Sequence, residues 1–512
     1  MEENSWLPAL TVTNLLVATV VGFLAYILRY YFFPNFPGIP GPTPLPIVGN
    51  MITFIKKGAL LDKELVKKYG KVYRLYEGDK EALVVSDVDM LKHIMVKDFG
   101  DFRNRRYRLM VGIFKAGLFD AVDETWVRLR HLLTPSFTSG KLKQILPMVN
   151  TCGQRLLTNI EKQMEAKGEF EAKKLAGAYT MDVIACSAFG IEIDSLQDEN
   201  SPFISNAMRL FTISFRNWRM FLNVVLTFCC PPLGNLLDKF DFFGGDIEAI
   251  DFFRRLLEKT IKERQEQKTE RVDFLQLMLN AGKQELDQEG KEDLAGLGQL
   301  DESDTAKGFT PDEILAQALL FFLAAYETTS TTIAFLIYNL AQNQEAQERL
   351  YQEIKSVMVN YKEANYEAIS KMEYMEQCIQ ETLRMFPPVL RMDRKSGVDM
   401  EYNGIRIPKG TIINIPILSM HHDPEVFPDP EKFDPERFTP EARQSRSQFY
   451  HLPFGLGPRQ CIGMRLALME IKLAFVKLLT KFKFMPGSKP PDIELRFIPT
   501  TKSGIWIRAE SR

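Results

Sequence analysis

One long apolar segment, which starts at Thr310 and continues past Leu340, constrains the fold more than any other part of the chain. Thr310 supplies a hydroxyl cap, Pro311 takes the first helical position, and acidic residues follow in the first turn, so a helix begins here. The apolar pattern predicts a very long helix through the middle of a large core. With 512 residues, of which 45% are hydrophobic, the chain is long enough to bury such a core.

The rest of the body is predicted to be mainly α with small β-sheets. Apolar residues recur at intervals of three and four through most of 137–280, as in amphipathic helices. Strand-like pieces are few and short, for example 82–86 and 403–416. The sequence contains no internal repeat and no glycine pattern of the Rossmann or P-loop type.

Charge and cysteine content argue against two classes of protein. The formal net charge of -2 argues against a basic surface for nucleic acid, so no nucleic-acid partner is expected. Six cysteines in a chain this long do not make a disulfide framework, so a reducing compartment is expected. These cysteines are Cys152, Cys186, Cys229, Cys230, Cys378 and Cys461.

The amino-terminal residues predict a single membrane anchor. The run Trp6–Leu28 is apolar and long enough to cross the roughly 30 Å hydrocarbon layer. Glu2 and Glu3 precede it and Arg29 follows it, which is unlike a cleavable signal peptide. The positive-inside rule then places the amino terminus across the membrane and the rest of the chain in the cytoplasm.

Three parts are expected along the chain: an N-terminal membrane anchor at 1–32, a proline-rich linker at 33–50 and a large body at 51–512. Repeated prolines favour an extended, fairly stiff linker. The aromatic segment 211–234 has two interpretations, either buried core or a surface that dips into the bilayer of the anchor. An acidic, glycine-rich stretch at 284–307 predicts a mobile surface loop.

The stretch FGLGPRQCIG, 454–463, surrounds one cysteine with residues that a structural cysteine does not need. The sequence after Cys461 has helical periodicity, so the cysteine lies at or just before a helix amino terminus, where amides and the helix dipole favour a thiolate. Gly455 and Gly457 permit unusual backbone shapes, and Gly463 would let a flat ligand approach closely. The pattern suits an anionic sulfur that faces a large planar ligand.

Three uses of such a thiolate follow from chemistry. A catalytic nucleophile needs a histidine base, but the glycines and arginine around the cysteine do not resemble a nucleophile elbow. The available bases are His421, His422 and His451. A zinc site needs further ligands at suitable spacing, and none accompanies Cys461. Haem iron needs one axial thiolate, amide donors and cationic groups for two propionates, and it fits these residues best.

The residues Phe454 to Gly463 match FxxGxRxCxG, and in this motif the chain resembles the cytochrome P450 monooxygenases. The likeness runs from the anchor to the carboxyl terminus. The segments LTPSFTSGKLK, RVDFLQLM and CIGMRLALMEIKLA resemble the microsomal, drug- and steroid-oxidising 3A-type branch. The resemblance implies the mainly α cytochrome P450 fold with small β-sheets, in which a long central helix lies over a haem. It makes 51–512 the haem-binding catalytic domain and implies haem b with an axial thiolate from Cys461, and O2 as cosubstrate.

The resemblance also assigns roles to charged residues. Glu381 and Arg384 lie three apart on a predicted helix and, with Arg437 of the sequence PERF, resemble the family's brace of the haem loop. Arginine suits bidentate recognition of carboxylates, so arginines and one tryptophan are expected to bind the haem propionates. The expected cofactor-binding residues are Arg105, Trp126, Arg130, Arg394, Phe454, Arg459, Gly463 and the metal ligand Cys461.

The stretch LAAYETTST, 323–331, places an acid and hydroxyls inside the long apolar helix, where they are disfavoured. It resembles the family pattern [AG]Gx[DE]T[TS], which makes Glu327 and Thr328 the expected catalytic residues that deliver protons to dioxygen. Ala325 stands where the pattern usually has glycine. Without the resemblance, the same residues would be an ordinary polar cluster in the core.

The resemblance implies a single-pass monooxygenase of the endoplasmic reticulum membrane that inserts one oxygen atom of O2 into lipophilic substrates such as steroids, fatty acids or xenobiotics. Leu323 and Val389 are expected to contact the substrate. The chain has no flavin or nicotinamide fingerprint, so electrons are expected from NADPH through NADPH–cytochrome P450 reductase, with cytochrome b5 as a further candidate partner. The reductase is expected to dock on basic residues near the thiolate side, namely Arg128, Lys141 and Lys143.

Two alternatives stay open from the sequence. One is an isomerase that rearranges endoperoxides, resembling thromboxane synthase, which needs neither electrons nor a proton relay; Thr328 argues against it. The other is a non-catalytic haem sensor or carrier, which would bind ligands without reductase-dependent turnover.

Overall fold

The structure is a computed structural model and describes most of the 512 residues. The described residues are 7–32, 34–106, 112–198, 201–211, 222, 226, 233–234, 236–237, 246–267, 273–281, 288–294, 297 and 308–512. Most of the aromatic segment 211–234 and most of the predicted loop 284–307 lie outside them.

Helices make up most of the regular structure in this part of the chain. The α-helices are α1 (Leu7–Phe32), α2 (Met51–Lys57), α3 (Leu60–Tyr69), α4 (Val88–Lys92), α5 (Asp123–Leu133), α6 (Ser139–Lys167), α7 (Ala172–Ile184), α8 (Pro202–Phe211), α9 (Ile247–Gln267), α10 (Phe274–Leu279), α11 (Gln288–Asp293), α12 (Pro311–Gln342), α13 (Gln344–Met358), α14 (Tyr366–Ser370), α15 (Glu373–Met385), α16 (Ile417–His421), α17 (Pro440–Gln444) and α18 (Met464–Lys481). Shorter turns of 3-10 or π type are His93–Lys97, Phe99–Phe102, Gly112–Ala116, Thr134–Phe137, Ala185–Phe189, Pro435–Phe438 and Gln448–Tyr450.

The strands are short and form small sheets. They are β1 (Val72–Glu77), β2 (Lys80–Val85), β3 (Phe170–Glu171), β4 (Met392–Lys395), β5 (Met400–Tyr402), β6 (Ile405–Ile407), β7 (Ile412–Ile415), β8 (Phe482–Pro486), β9 (Ile493–Leu495), β10 (Pro499–Thr501) and β11 (Trp506–Ser511). The largest sheet has the order β1-β2-β7-β4, with β2 and β7 parallel and the other pairs antiparallel. Leu83 pairs with Ile413 in the parallel register. The smaller sheets are β3-β11-β8, β10-β9 and β5-β6. The predicted fold class, mainly α with small β-sheets, is confirmed.

The predicted long helix is α12, and it runs through the largest hydrophobic core. Its 32 residues span about 48 Å. A capping box fixes its start: the N–H of Glu313 donates to the Thr310 hydroxyl at 3.2 Å, and the N–H of Thr310 donates to the Glu313 carboxylate at 2.9 Å. The helix packs against α7, α15 and α18, so it holds together the two sides of the molecule between which the site lies.

Phenylalanine rings fasten the amino-terminal half of α12 to the preceding helices. Phe322 of α12 meets Phe189 after α7, Phe203 of α8 and Phe253 of α9, with ring centroids 5.3 to 6.3 Å apart across the four rings. Most of these pairs are edge to face, the arrangement that the ring quadrupole favours. This packing fixes the direction in which the following turns of α12 present their side chains.

The amino-terminal helix α1 is the candidate membrane span. Its segment Val12–Arg29 has a mean hydropathy of 1.8, and none of it is buried against the rest of the protein. The core helix Pro311–Gln342 is also long and apolar enough to cross a membrane, but 67% of it is buried in the protein. Among the described residues, α1 therefore fits the single predicted anchor, and α12 is a core helix.

The last residues of the predicted linker pack on the body. Gly49 forms backbone bridges with both Leu45 and Glu77, and the N–H of Asn50 donates to the carbonyl oxygen of Tyr76 at 2.8 Å. The limits 1–32, 33–50 and 51–512 stay a prediction.

Candidate active site

The loop that carries Cys461 has a backbone that favours glycine at two positions. Gly455 and Gly457 have φ of 70° and 75°, in the left-handed region. A Cβ on Gly457 would lie 2.0 Å from the carbonyl oxygen of Met95, so a side chain there has no room. The N–H of Cys461 donates to the carbonyl oxygen of Phe454 at 2.9 Å and closes the turn. The cysteine is therefore held at one place in a tight loop.

The surroundings of the Cys461 sulfur differ in part from the prediction. α18 begins at Met464, so the predicted position just before a helix is confirmed. The Cys461 side chain is exposed to the cavity. The protein atoms packed around it nevertheless raise the pKa of its thiol by desolvation, which outweighs the N–H of Gly463 and the charges of Arg130 and Arg105, which lower it. The helix terminus alone therefore does not ionise the thiol, whereas coordination to a metal ion deprotonates a thiol outright.

A cavity of about 380 Å³ separates the Cys461 loop from α12. On the α12 side its wall is apolar apart from threonines. This wall consists of Leu320, Phe321, Ala324, Ala325, Thr328, Thr329 and Thr332. On the loop side, Gly463 lines the cavity, and a Cβ there would come only within 4.0 Å of Phe137. The two walls leave a space suited to a large, mostly apolar ligand.

The structure brings most of the predicted site residues to this cavity. Those that line it are Arg105, Trp126, Arg130, Thr328, Val389, Arg394, Phe454, Arg459, Cys461 and Gly463. Two predicted residues, Leu323 and Glu327, are not among the lining residues. Leu323 packs against the hydrophobic core instead.

Four arginine side chains converge on one edge of the cavity. They are Arg105, Arg130, Arg394 and Arg459. In each, the Nε–H is buried and has no hydrogen-bond partner among the residues that the structure describes. Burial, together with the charge of the neighbouring Arg105, lowers the pKa of Arg394 to about 9 and that of Arg459 well below its ordinary value. Because buried positive charge without a partner is costly, this edge is built to receive an anion.

Protein contacts fix the orientation of these guanidinium groups. Arg459 donates to the carbonyl oxygen of Ala121 at 2.7 Å and lies 4.4 Å from the ring centroid of Trp126. Arg105 lies 4.3 Å from the ring centroid of Phe119. The remaining donors are thus held in place toward the cavity, which is what a pair of carboxylates on a rigid ligand requires.

A buried ion pair lies behind the cysteine loop, as the sequence predicts. Two nitrogens of Arg384 lie 2.7 and 2.8 Å from the carboxylate oxygens of Glu381, and both side chains are fully buried. Arg384 also donates to the carbonyl oxygens of His421 at 3.0 Å and Pro430 at 2.7 Å. Nε of Arg437 lies 3.4 Å from Glu381, so the predicted three-residue brace is present.

Sequence reasoning missed the group that joins this brace to the cysteine loop. The N–H of Leu452 donates to Nε2 of His421 at 2.8 Å. Burial lowers the pKa of His421 well below its ordinary value, so the imidazole is neutral and Nε2 accepts the hydrogen bond. No local motif marks this role, because the two residues are far apart in the chain.

The three histidines that the sequence offered as bases for a nucleophilic cysteine have structural contacts instead. His422 Nε2 lies 3.0 Å from the carbonyl oxygen of Met385, and His451 Nε2 lies 3.2 Å from that of Gln380. His451 also stacks on His421 at 4.9 Å between ring centroids. This arrangement gives no support to the nucleophile interpretation of Cys461.

Thr328 occupies the middle of the α12 wall. Its hydroxyl donates to the carbonyl oxygen of Ala324 at 2.6 Å, one turn earlier. Ala325, which stands where glycine was expected, also lines the cavity. Thr328 therefore lines the same cavity as Cys461, and its expected role in proton delivery stays a prediction.

Glu327 lies on a different face of α12 from Thr328. Its carboxylate is 3.0 Å from Nζ of Lys173, on α7. The same ammonium donates to the carbonyl oxygen of Glu327 at 3.1 Å and to the hydroxyls of Ser330 at 2.8 Å and Thr331 at 2.6 Å. The predicted relay acid is thus held in a polar cluster outside the cavity lining.

A second buried acid, which the sequence analysis did not single out, does line the cavity. Glu470 of α18 is 1% exposed, and its Oε1 has no hydrogen-bond partner among the described residues. Burial alone raises the pKa of Glu470 to about 8. At neutral pH the folded protein therefore holds Glu470 mostly as a neutral acid.

Comparison with known proteins defines the class of this site. The family model described as cytochrome P450 matches residues 39–507. The chain is 37% identical to cytochrome P450 3A14 of Cavia porcellus, over 94% of this chain and 92% of that protein. It is also 37% identical to cytochrome P450 3A12 of Canis lupus familiaris, over 99% and 98%, and to cytochrome P450 3A7 of Homo sapiens, over 93% and 92%.

The chain belongs to the cytochrome P450 family and is similar to its 3A-type members. It is therefore a cytochrome P450 monooxygenase, an oxidoreductase that uses haem with a cysteine thiolate ligand and O2. The residues present fit that cofactor: a tightly held cysteine, a large apolar cavity and an edge of four arginines whose buried Nε–H groups have no partner among the described residues and could serve two carboxylates. Redox partners and lipophilic substrates in general follow from membership of the family.

Replacing Arg384 with methionine tests the brace. The change leaves the Glu381 carboxylate buried without its partner, which costs about 3 to 5 kcal/mol, so we expect lower stability and loss of haem together. The measurements are the unfolding free energy and the absorbance of bound haem. Lys371→Met, which breaks an exposed pair with Glu367, is the control and should change neither quantity. Full haem content in Arg384→Met would contradict the role of the brace.

The acid Glu470 predicts a pH dependence of stability. Its folded-state pKa is about 8, and its ordinary value is about 4.3, so between these values the folded protein binds more protons than the unfolded chain. The unfolding free energy therefore falls as the pH rises through this window. Glu470→Gln removes this pH dependence. We therefore expect the unfolding free energy of the variant, measured relative to that of wild type, to increase from pH 5 to pH 8 by at most roughly 1.4 kcal/mol per pH unit.

The measurement is denaturant unfolding of both proteins at each pH. Glu165→Gln, on the exposed surface of α6, is the matched control. Parallel curves for wild type and Glu470→Gln would show that Glu470 titrates normally in the folded protein.

Proposed function

We propose that this enzyme inserts one oxygen atom of O2 into lipophilic substrates, with electrons that originate from NADPH and pass through a flavoprotein reductase. The observation that carries this proposal is the cavity between the Cys461 loop and Thr328, with an arginine edge and otherwise largely apolar walls. Steroids, fatty acids and xenobiotics are the substrate classes that such walls favour.

Cys461 would hold the haem iron through its thiolate. Arg105, Arg130, Arg394 and Arg459 would bind the propionates, supported by their unpartnered buried Nε–H groups, and Trp126 lies at the same edge. Phe454 and Gly463 would contact the macrocycle on the cysteine side. When bound, a haem with thiolate ligation supplies the activation of O2, and the thiolate favours O–O cleavage.

Thr328 would hold and transfer protons at its hydroxyl oxygen. It lies on the wall opposite Cys461, and its hydroxyl hydrogen is directed at the Ala324 carbonyl oxygen. Rotation about its Cα–Cβ bond would release that hydrogen toward the cavity. Glu327 would supply protons to this threonine only after its carboxylate leaves Lys173, so its role depends on the polar cluster around that lysine.

Substrate would contact the apolar part of the cavity lining. Val389 lines this space, and so do Leu118, Phe119, Leu320 and Phe321. These side chains are apolar, so they select by shape and desolvation rather than by hydrogen bonds. The proposed contact with Leu323 has no support from the cavity lining.

The electron donor would approach from the other side of the Cys461 loop. A surface depression there is lined by Arg130, Gln460 and Arg465 as well as by Cys461 itself. Arg128, one of the docking residues expected from the sequence, is committed to an ion pair with Glu313. NADPH–cytochrome P450 reductase is the proposed donor, with cytochrome b5 as a second candidate.

The remaining proposals concern the position of the enzyme in the cell and on the membrane. The apolar helix α1 would anchor the enzyme in the endoplasmic reticulum membrane, with 51–512 in the cytoplasm.

The two alternatives, an endoperoxide isomerase and a haem sensor or carrier, keep no observation in their favour beyond the haem site itself. Thr328 in the wall opposite Cys461 favours the monooxygenase.

A reconstituted assay with purified enzyme, reductase and NADPH tests the proposed function. We expect NADPH- and O2-dependent hydroxylation of a lipophilic probe such as testosterone or lauric acid. Thr328→Ala should divert electrons to peroxide and lower product per NADPH by on the order of 100-fold, the lower end of the usual contribution of one positioned proton-transfer group. Thr480→Ala, which removes a similar hydroxyl-to-carbonyl bond on α18 away from the cavity, is the control.

Product formation from an endoperoxide without reductase would favour the isomerase. Spectral binding of the probes without any turnover would favour the sensor. Unchanged product per NADPH in Thr328→Ala would contradict the role of Thr328.

Replacing Lys173 with methionine tests whether the Glu327 cluster matters to proton delivery. The change removes one ammonium from the Glu327 carboxylate, the Glu327 carbonyl oxygen and two hydroxyls beside Thr328. Because Glu327 supplies protons only when its carboxylate is free of Lys173, we expect product per NADPH to rise, by up to about fivefold, the equivalent of one hydrogen bond of about 1 kcal/mol. Lys174→Met, at the exposed neighbouring position, is the control. Equal product per NADPH in both variants would show that Lys173 and Glu327 take no part in proton delivery.

A further inference from the structure

A buried glutamine on α12 binds the backbone of the loop that precedes α5. Gln317 is 0% exposed. Its Nε2 donates to the carbonyl oxygen of Ala116 at 3.0 Å, and its Oε1 accepts from the N–H of Leu118 at 2.9 Å. One side-chain amide thus satisfies a donor and an acceptor two residues apart, as a neighbouring strand would. Buried backbone groups need such partners, so the amide determines where the loop lies.

The residue between these two bonds shows how closely the loop approaches α12. A Cβ on Gly117 would lie 3.1 Å from a methyl carbon of Leu320, one turn after Gln317 on the same helix, and 2.9 Å from the carbonyl oxygen of Phe114. The loop is therefore pressed against the helix at the point where the amide binds it. Packing and hydrogen bonding define the same contact independently.

The loop carries contacts that belong to the site. The carbonyl oxygens of Phe119 and Ala121 accept from Arg459 at 3.4 and 2.7 Å. The ring of Phe119 lies 4.3 Å from the guanidinium carbon of Arg105. Leu118 and Phe119 themselves line the cavity that would hold the proposed haem and substrate. A shift of the loop would therefore move the arginine edge and the substrate wall together.

We infer that Gln317 is a positioning residue for both of these parts of the site. It does not line the cavity. It acts through the loop: its amide sets the distance between α12 and Leu118, and through Phe119 it sets the orientation of Arg105 and Arg459. This inference rests on the proposed haem-binding role of those arginines and adds the residue that couples haem retention to the shape of the substrate wall.

The chain contains a matched control for this amide. Gln347 of α13 is also 0% exposed. Its Nε2 donates to the carbonyl oxygens of Leu340 at 3.0 Å and Phe484 at 2.9 Å, and its Oε1 accepts from the N–H of Phe484 at 2.7 Å. It therefore makes the same kind of contact, from a helix to a backbone segment, away from the cavity. Its loss should affect stability alone.

The experiment compares Gln317→Met with Gln347→Met in the full-length holoenzyme. The first measurement is the rate of haem transfer to excess apomyoglobin. The second is the dissociation constant of phenylimidazole, read from the haem spectrum, and the third is Tm. Both variants should lower Tm. Only Gln317→Met should raise haem transfer and the phenylimidazole dissociation constant, each by about 10-fold, as expected when a pair of buried hydrogen bonds no longer orients the site.

Equal haem transfer and equal dissociation constants in the two variants would reduce Gln317 to a structural clamp and overturn the inference. Gln317→Glu provides a second variant of nearly the same size, which keeps the acceptor for Leu118 and can donate to Ala116 only when its carboxyl is protonated; a smaller rise in haem transfer is expected. Loss of haem from both Gln317 variants, with full haem in Gln347→Met, would support the inference. If wild type itself lacks the absorbance of a carbon monoxide complex with thiolate ligation, the proposed function fails instead.

Discussion

The ion pair between Glu381 and Arg384 is the interaction on which the rest of the site depends. Both side chains are fully buried, and their remaining donors and acceptors reach the backbone of His421, Pro430 and Asp434. Through the carbonyl oxygen and ring of His421, the pair also reaches Leu452 at the start of the cysteine loop. A buried pair contributes little net stability, but breaking it is expensive, so its geometry is strongly determined. The position of Cys461 therefore depends on the Glu381–Arg384 contact, which is distant from the cysteine in the chain.

The electrostatics of the cavity are asymmetric and incomplete without a ligand. At one edge, buried guanidinium groups lower each other's pKa and keep unpartnered donors. Desolvation also raises the pKa of Cys461, and Glu470 stays neutral elsewhere in the lining. A dianionic ligand with a metal at its centre would relieve the first two costs together. Folding and cofactor binding are thus expected to be coupled, because a ligand that binds only the folded state stabilises it.

The orientation of α12 explains where prediction from sequence succeeded and where it did not. Its existence, its start at Thr310 and its place in the core follow from a cap and an apolar pattern, and all were predictable. Leu323 and Glu327 are four residues apart and share one face, whereas Ala324 and Thr328 share the next face, which meets the cavity. Which face turns inward depends on packing against α7 and the phenylalanine cluster. A difference of one residue, about 100° around the helix, separates these assignments.

Elements whose physics is local could be predicted from the sequence: the glycine-dependent cysteine loop before a helix, the long capped core helix, and the Glu381 and Arg384 spacing that puts both on one helical face. The contacts between groups that are distant in the chain came from the folded structure. It joined His421 to the cysteine loop, Lys173 to Glu327 and Gln317 to the loop before α5, and it buried Glu470 in the cavity wall. The reason is that hydrogen-bond partners and burial depend on neighbours brought together by folding, and no short-range spacing in the chain encodes them.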